Sequence, residues 1–404
     1  MIPVSKAFEI IDGKTSSSDS ETIRLEFAVG RVLAENVVAD TDIPPFDRSQ
    51  MDGFAVVAGD TAKAPVTLRL VGESAAGRGW HYRLKRGEAV RIMTGAPVPA
   101  GADAVQKLES ARENDIQSSS GTVTILETAK KDKFIVRKGS EIQRGTTLFA
   151  SGTIVTEGII TGIAAFGYAK IKVAKKPRVT IMSTGSEIVA IDKSPGKDQI
   201  RNSNSLMLKV LCEQAGASAK FLPIAGDDLA KLRSRIAKTA EAGKTDILVI
   251  TGGVSVGKYD LTKAALKELG AEMFFERVRL KPGKPAVFAK LGGILVFGLP
   301  GNPVSSAVTF YLFVRRAIRR MQNADRVDLK NGRAVATGLM KGTAERETYL
   351  PVALKTSSDA TLLAQPLKWG GSSDFVGFAR ADALAIIPKG SVIERGQVSK
   401  IVFL

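Results

Sequence analysis

Residues Thr251–Asp260 read TGGVSVGKYD. Gly252, four intervening residues and Gly257-Lys258 nearly complete G-x-x-x-x-G-K-[ST], a loop that cradles phosphates on backbone N–H groups and offers Mg²⁺ a small hydroxyl. Tyr259 stands where that hydroxyl belongs. It is too bulky to replace it, and no apolar run elsewhere ends in the metal-binding aspartate of a nucleotide hydrolase. The resemblance therefore rests on Lys258 alone, and the turn reads instead as an anion cradle built from Gly252, Gly253 and Ser255, with Asp260 as its carboxylate. Three more turns of this kind each follow an apolar run: Thr184-Gly185-Ser186-Glu187, Gly226-Asp227-Asp228 and Leu299-Pro300-Gly301-Asn302. Glycine turns and a helix start at Asn302 supply backbone N–H groups, which suit phosphate or another oxyanion. Glu187, Asp227 and Asp260 supply carboxylate oxygens, which suit Mg²⁺ rather than a soft metal; each equally fits a cap or turn. Lys281 and Lys284, in LKPGKP, make a compact anion clamp on a proline-stiffened turn, or simple solvated charge. Together these residues point to a phosphorylated or polyanionic ligand and a divalent cation.

Composition excludes other chemistries. The 404 residues hold one cysteine, Cys212, and one histidine, His81. A disulfide framework and a Cys/His zinc site cannot be assembled from single copies. A histidine-dependent triad would rest on His81 alone, whose context RGWHYRL suits a surface or packing role, and Cys212 falls in the apolar pattern of a buried helix. Lys and Arg number 58 against 41 Asp and Glu, a net charge of +17, which favours anionic partners. Aromatic residues make up 6%, and no basic run is interleaved with them as single-strand binding would require, so no nucleic-acid partner is expected. No apolar window approaches eighteen residues, so no membrane span is expected, and the acidic start MIPVSKAFEIID lacks a signal-peptide core, which places the expected location in the cytoplasm.

Elements must carry these turns to one place. At this length two to four domains are expected. From Arg178 onward apolar strand and amphipathic helix alternate: RVTIMSTG, SNSLMLKVLCEQAG (capped by Ser203 or Ser205), AKFLPIAGDD, LAKLRSRIAKTAEAG, TDILVITGG, DLTKAALKELG, AVFAK, GILVFGLPGN and PVSSAVTFYLFVRRAIRR. The last helix takes Asn302 as N-cap and Pro303 as its first residue, with arginines at its C-terminal end. Such alternation implies a doubly wound α/β domain, whose ligands bind beyond the carboxyl ends of the strands. Short β-type runs with glycine turns fill the region before residue 150, and short strands return after 330.

Taken in order, DIPPFDRSQMDGFAV, RIMTGAPVPAGADAV, STGSEI, IRNSNSLML, AGDD, TGGVSVGKYD, LKPGKP and GLPGNPVS resemble the motifs of the molybdopterin molybdenumtransferases, the bacterial MoeA proteins and the gephyrin E domain. The resemblance spans essentially the whole chain. It implies an α/β plus β, multidomain, elongated fold: an N-terminal and linker helical subdomain (1–40 and 141–172), a small β-rich subdomain with the MDG motif (41–140), a central doubly wound α/β molybdopterin-binding domain (173–325) and a C-terminal β-barrel-like domain (326–404). It implies a homodimer, with the pocket between the α/β domain of one subunit and the MDG module of the other. The implied reaction is Mg²⁺-assisted insertion of molybdate into adenylyl-molybdopterin with release of AMP. Possible protein partners are the molybdopterin adenylyltransferase and acceptor molybdoenzymes. By the same resemblance Asp52, Thr94, Glu187, Asp227 and Asp260 surround substrate and metal, with Glu187, Asp227 and Asp260 as the metal set. Lys281, Lys284, Pro285, Ser305, Arg346 and Ser372 surround molybdate.

Three positions depart from the family pattern: Lys258 for a common acid, Ser140 before Glu141 for an acidic pair, and Gln106 within an apolar run. Two other readings have the same resemblance behind them. A non-catalytic clustering scaffold would want a linker and a second domain. Molybdopterin adenylylation belongs to a shorter chain without the flanking modules.

Overall fold

The computed structural model describes residues 1–114, 121–253, 261–368 and 370–404. By internal packing the chain forms two compact units. One comprises Met1–Glu35, Ser151–Thr161 and Tyr168–Leu404; the other comprises Asn36–Ala150 and Gly162–Gly167.

The first unit is built on six strands: β1 (Arg178–Ser183), β2 (Ser218–Phe221), β3 (Ile247–Thr251), β4 (Glu272–Phe275), β5 (Val287–Leu291) and β6 (Ile294–Leu299), in the order β2-β1-β3-β6-β5-β4. β2, β1, β3 and β6 are parallel, whereas β5 runs against both of its neighbours. The sheet is therefore mixed, since Gly292 and Gly293 allow β5 to return to β6 as a hairpin rather than through a crossover helix. Every residue of β3 and of β6 is buried, as their unbroken apolar runs require of strands covered on both faces. Alternate residues divide between the faces. Ile247 and Val249 face Leu208, Leu211 and Cys212 of the helix Ser203–Gln214 and the helical run from Pro303. Leu248 and Ile250 face Leu232 and Ile236 of the helix Leu229–Glu241 and Ala265 and Leu266 of the helix Leu261–Glu268. Helices on both faces make this a doubly wound α/β core. Phe288 and Phe297 stack at 4.6 Å across the β5–β6 pair, each such burial contributing about 2 kcal/mol.

Two local expectations are corrected. Asn202, not Ser203 or Ser205, caps the helix Ser203–Gln214, its side chain accepting the Ser205 N–H at 3.2 Å. Ser205 lies inside the helix with its hydroxyl against Ser183 Oγ. The last helix is not one regular run: Pro303–Thr309 passes through a π-type turn at Phe310–Val314 into Arg315–Met321. Its arginines do more than answer the helix dipole. Arg316 binds Asp12 at 2.7 and 2.6 Å, and Arg320 reaches the same carboxylate at 2.7 Å, tying down the N-terminal helix Val4–Lys14.

Beyond the sheet, five strands close into a ring: Glu347–Thr356, Leu362–Pro366, Asn331–Ala336, Val398–Phe403 and Ala383–Ile387, the last pairing again with the first. This C-terminal β-structure joins the α/β core through Leu280–Lys281, which pairs in parallel with Glu347–Thr348. After the N-terminal helix, the strand Ser20–Arg24 lies antiparallel to Lys170–Ala174. The second unit holds a six-stranded sheet ordered Ala104–Lys107, Gly53–Val56, Glu88–Ile92, Val66–Ser74, Thr122–Ile125 and Ala111–Asn114. Among the described residues no helix is long and apolar enough to cross a membrane.

Candidate active site at the carboxyl edge of the central sheet

The register of the parallel strands sets the site. Ser183, Thr251 and Leu299 end β1, β3 and β6 side by side, so the turns that follow emerge at one edge. The Gly226–Asp228 turn joins them through a bridge between Thr184 and Ala225 and a 3.1 Å bond from Gly185 N–H to the Ala225 carbonyl. Gly252 has a φ of 93°, and a Cβ there would overlap the Thr184 carbonyl oxygen. Only glycine lets β1 and β3 approach so closely as both turn. Ser255, Lys258 and Asp260, the remainder of the sequence-predicted cradle, lie outside the described residues.

The acids at this edge do different work. Asp227 Oδ2 accepts from the Ser186 N–H at 3.0 Å and from Ser186 Oγ at 2.7 Å, linking two of the turns. Asp228 caps the helix Leu229–Glu241 through the Lys231 N–H at 3.0 Å, which holds its carboxyl below the usual carboxylate range. The Glu187 side chain folds back over Gly185, whose hydrogen leaves it room. Glu187 and Asp227 thus stand on adjoining turns as oxygen donors. Among the described residues no group of three or more potential metal ligands forms, and Asp260 is not among those residues.

The cationic side comes from two segments that are far apart in sequence. The pairing of Leu280–Lys281 with Glu347–Thr348, extended by a 3.0 Å bond from Glu347 N–H to the Arg279 carbonyl, brings the Arg346 segment beside Lys281. Lys281 is exposed, and Lys284, Pro285 and Arg346 are half-buried. Gly283 lets this turn lie on the last helix: a Cβ there would stand 2.6 Å from Thr309 Cγ2. The same helix carries Ser305, which is buried and whose carbonyl accepts from Thr309 Oγ1 at 2.7 Å. Ser372 completes the group. Its Oγ accepts from Asn302 Nδ2 at 2.8 Å, and its carbonyl accepts the Val304 N–H at 3.1 Å. That second bond corrects an expectation: with proline at 303 and the Val304 N–H engaged by Ser372, the start of this helix offers fewer donors to an anion than its sequence implies.

Asp52 and Thr94 belong to the second unit. Asp52 Oδ1 accepts from both the Thr94 N–H (2.6 Å) and the Thr94 hydroxyl (2.7 Å). The backbone N–H first, and then the hydroxyl, hold the Asp52 carboxyl below its usual range. Gly53 beside it is required by sterics, because a Cβ would overlap the Gln106 carbonyl of the neighbouring strand.

Residues absent from the sequence-predicted set also sit at the sheet edge. Among the described residues, Thr184 Oγ1 and Asn204 Oδ1 are buried without hydrogen-bond partners, as is Thr348 Oγ1 on the strand beside Lys281. Thr184 Oγ1 lies 2.9 Å from where a Cβ on either Gly252 or Gly253 would be. The available sequence signal was their place inside the motifs STGSEI, IRNSNSLML and ERETYL, where glycine and charge drew the attention. A cavity of about 440 Å³ lies elsewhere, lined by Phe8, Tyr311, Arg316, Tyr349, Ile386 and Val402, and contains none of the predicted residues. The convergent polar groups are the better guide here, because a site for a charged ligand at a sheet edge opens to solvent.

Known proteins resemble this chain along nearly its whole length. Three family models match in sequence: the MoeA N-terminal region (domains I and II) over residues 2–167, a probable molybdopterin binding domain over 180–320, and the MoeA C-terminal region (domain IV) over 333–404. The molybdopterin molybdenumtransferase of Bacillus subtilis is 34% identical over 394 residues, covering 96% of this chain and 91% of the relative. That of Staphylococcus aureus is 33% identical over 398 residues, covering 96% and 92%. Two crystal structures of a molybdopterin biosynthesis MoeA protein from Pyrococcus horikoshii superpose with TM-scores of 0.83 and 0.86, at 30% and 26% identity, covering all of this chain and 99% and 100% of theirs. The chain belongs to the molybdopterin molybdenumtransferase (MoeA) family.

Proposed function

We propose that this chain inserts molybdenum into molybdopterin, the final step of molybdenum cofactor biosynthesis, using adenylyl-molybdopterin and molybdate and releasing AMP. The observations that support this reading are that β1, β3 and β6 end side by side, that β5 begins opposite the end of β6 so that the LKPGKP turn enters at the same edge, and that Leu280–Lys281 pairs with Glu347–Thr348, more than sixty residues further on. Molybdate is a tetrahedral dianion. In this reading Lys281, Lys284 and Arg346 bind its oxygens, Ser305 and Ser372 orient it, and Pro285 stiffens the turn. Gly253 and Ser255 hold the phosphate side of the substrate on backbone donors, while Gly252, whose N–H is engaged by the Leu299 carbonyl, shapes the turn. Asp52, fixed by Thr94, stays ionised at neutral pH and accepts a donor from the substrate.

Glu187 and Asp227, with Asp260, would hold Mg²⁺. Their oxygen-only donor set suits a hard cation, which when bound supplies neutralisation of phosphate charge. The attacking oxygen comes from molybdate or water, and the chain contributes no covalent nucleophile. Lys281, Lys284 and Arg346 stabilise the charge that gathers as AMP departs. A homodimer belongs to this reading, supported by the family, and light scattering of the purified chain tests it.

The decisive experiment mixes pure protein with adenylyl-molybdopterin, Mg²⁺ and molybdate, and follows AMP release and activation of an apo-molybdoenzyme. Release of AMP coupled to activation is expected. No AMP under any divalent metal would overturn the proposal.

A further inference from the structure

The segment Arg201–Ser205, RNSNS, opens the helix Ser203–Gln214, and its two asparagines are turned to different ends. Asn202 faces the helix: its Oδ1 accepts the Ser205 N–H at 3.2 Å and Ser183 Oγ at 3.1 Å. Asn204 faces the sheet edge. Its Nδ2 donates to Thr251 Oγ1 at 3.1 Å and to the Gly301 carbonyl at 2.7 Å, and Thr251 Oγ1 donates onward to the Pro300 carbonyl at 3.1 Å. One carboxamide thereby joins the end of β3 to the turn that follows β6.

That junction is where the sheet stops fixing distances. The β3–β6 ladder ends at Thr251 and Leu299, closed by the Gly252 N–H on the Leu299 carbonyl at 3.1 Å. Past it, Gly252-Gly253 turns against Thr184, while Pro300-Gly301-Asn302 turns toward Ser372; a Cβ on Gly301 would stand 3.7 Å from the Gly252 Cα. Two donors on one nitrogen can hold two acceptors at a set separation, which a hydroxyl with its single donor cannot. The acceptor end of the same amide is left over, for Asn204 Oδ1 is buried with no partner among the described residues. A side chain serving cohesion alone would have that acceptor matched, since an unmatched buried acceptor lowers stability.

We infer that Asn204 is a positioning residue for the anion site: it sets the separation of the Gly252-Gly253 turn and the Gly301-Asn302 turn, and so the placing of the groups they offer to a tetrahedral oxyanion or phosphate. The inference rests on reading this edge as the molybdenum-inserting site. Asn204 acts through Thr251, Gly301 and Asn302 and need not touch the ligand.

The test compares parent, Asn204→Ala, Asn204→Asp and Asn204→Gln in steady-state AMP release, varying molybdate and adenylyl-molybdopterin separately, with thermal unfolding on the same samples. Asn204→Asp keeps the shape and loses both donors; Asn204→Gln keeps both donors on a longer stem. For Ala and Asp, kcat/KM falls at least about tenfold, mainly through KM, while the unfolding midpoint stays within about 2 °C of the parent. Gln recovers part of the lost KM. The inference is overturned if KM is unchanged, or if activity falls only in step with the folded fraction as the midpoint drops. Parent protein that releases no AMP removes the site reading itself, whereas an active parent with equally active variants removes the positioning role alone.

Discussion

Two corners of this molecule present a carboxylate beside a glycine that the backbone cannot do without, yet they keep their hydrogen bonds differently. At Asp52, in the second unit, the polar groups satisfy one another: both donors of Thr94 meet one carboxylate oxygen. At the carboxyl edge of the central sheet they do not, and Thr184 Oγ1 and Asn204 Oδ1 remain buried and unmatched. A matched pair is a finished part, held in place before any ligand arrives. Unmatched buried groups lower stability for as long as nothing meets them, which is the expected condition of a place shaped for something else. The difference separates a corner complete in itself from an edge whose unmatched groups are left for the ligand it receives.

The largest expected effect tests the glycines. Gly53→Ala sets a methyl onto the Gln106 carbonyl oxygen of the paired edge strand, so the ladder between Gly53–Val56 and Ala104–Lys107 must open. It is expected to destabilise by more than about 3 kcal/mol, read as a lowered denaturant midpoint. Gly252→Ala meets the Thr184 carbonyl oxygen with a lesser overlap, in a turn past the end of the ladder. It is expected to cost less stability and to abolish AMP release. Equal stability losses would erase the distinction between the two corners.

Next in size is the cationic clamp. Lys284→Ala is expected to lower kcat/KM for AMP release at least about 100-fold, or about 2.7 kcal/mol, with little change in stability, since a half-buried lysine forms no core. Lys258→Ala is expected to cost much less. The reverse order would restore the phosphate-loop reading of TGGVSVGKYD.

Asp52→Asn addresses the finished corner. The carboxyl of Asp52 is held below its usual range by Thr94, so its folded pKa lies under its unfolded value. The stability this contributes is present above about pH 4, the unfolded value, and is lost as pH falls through the lower folded value. Parent protein therefore loses stability below about pH 4 that Asp52→Asn does not lose, visible in unfolding midpoints between pH 2.5 and 7. Activity at neutral pH is expected to fall about tenfold, because the amide keeps the Thr94 contacts and loses the charge. Parallel pH profiles for the two proteins would show that Thr94 does not tune Asp52.

The sequence made much of this legible, for reasons that also mark where it stops. β3 and β6 were readable because strands covered on both faces need unbroken apolar runs, and the turns after them because glycine is scarce elsewhere in such runs. That Lys281 and Arg346 would meet was carried by the family resemblance, as the pairing of Leu280–Lys281 with Glu347–Thr348 leaves no periodic trace in either segment. The return of β5 beside β6 was hidden because hairpin and crossover strands share one apolar pattern. The bond from the Val304 N–H to the Ser372 carbonyl was hidden because main-chain pairing across distant segments is blind to residue type.

The smallest effect sharpens the comparison most finely, because it sets two asparagines of one motif against each other. Asn202 is matched on its acceptor side by Ser205 and Ser183, and so behaves like the Asp52 corner in miniature. Asn202→Ala removes a helix cap and is expected to cost about 1 kcal/mol, seen as a shifted denaturant midpoint with unchanged KM. Asn204 lies two residues further on and, among the described residues, keeps its acceptor unmatched; its loss is expected to leave the midpoint nearly alone and to raise KM. If both variants lowered stability alike and neither moved KM, the unmatched acceptor would carry no functional meaning, and RNSNS would be a helix start and nothing more.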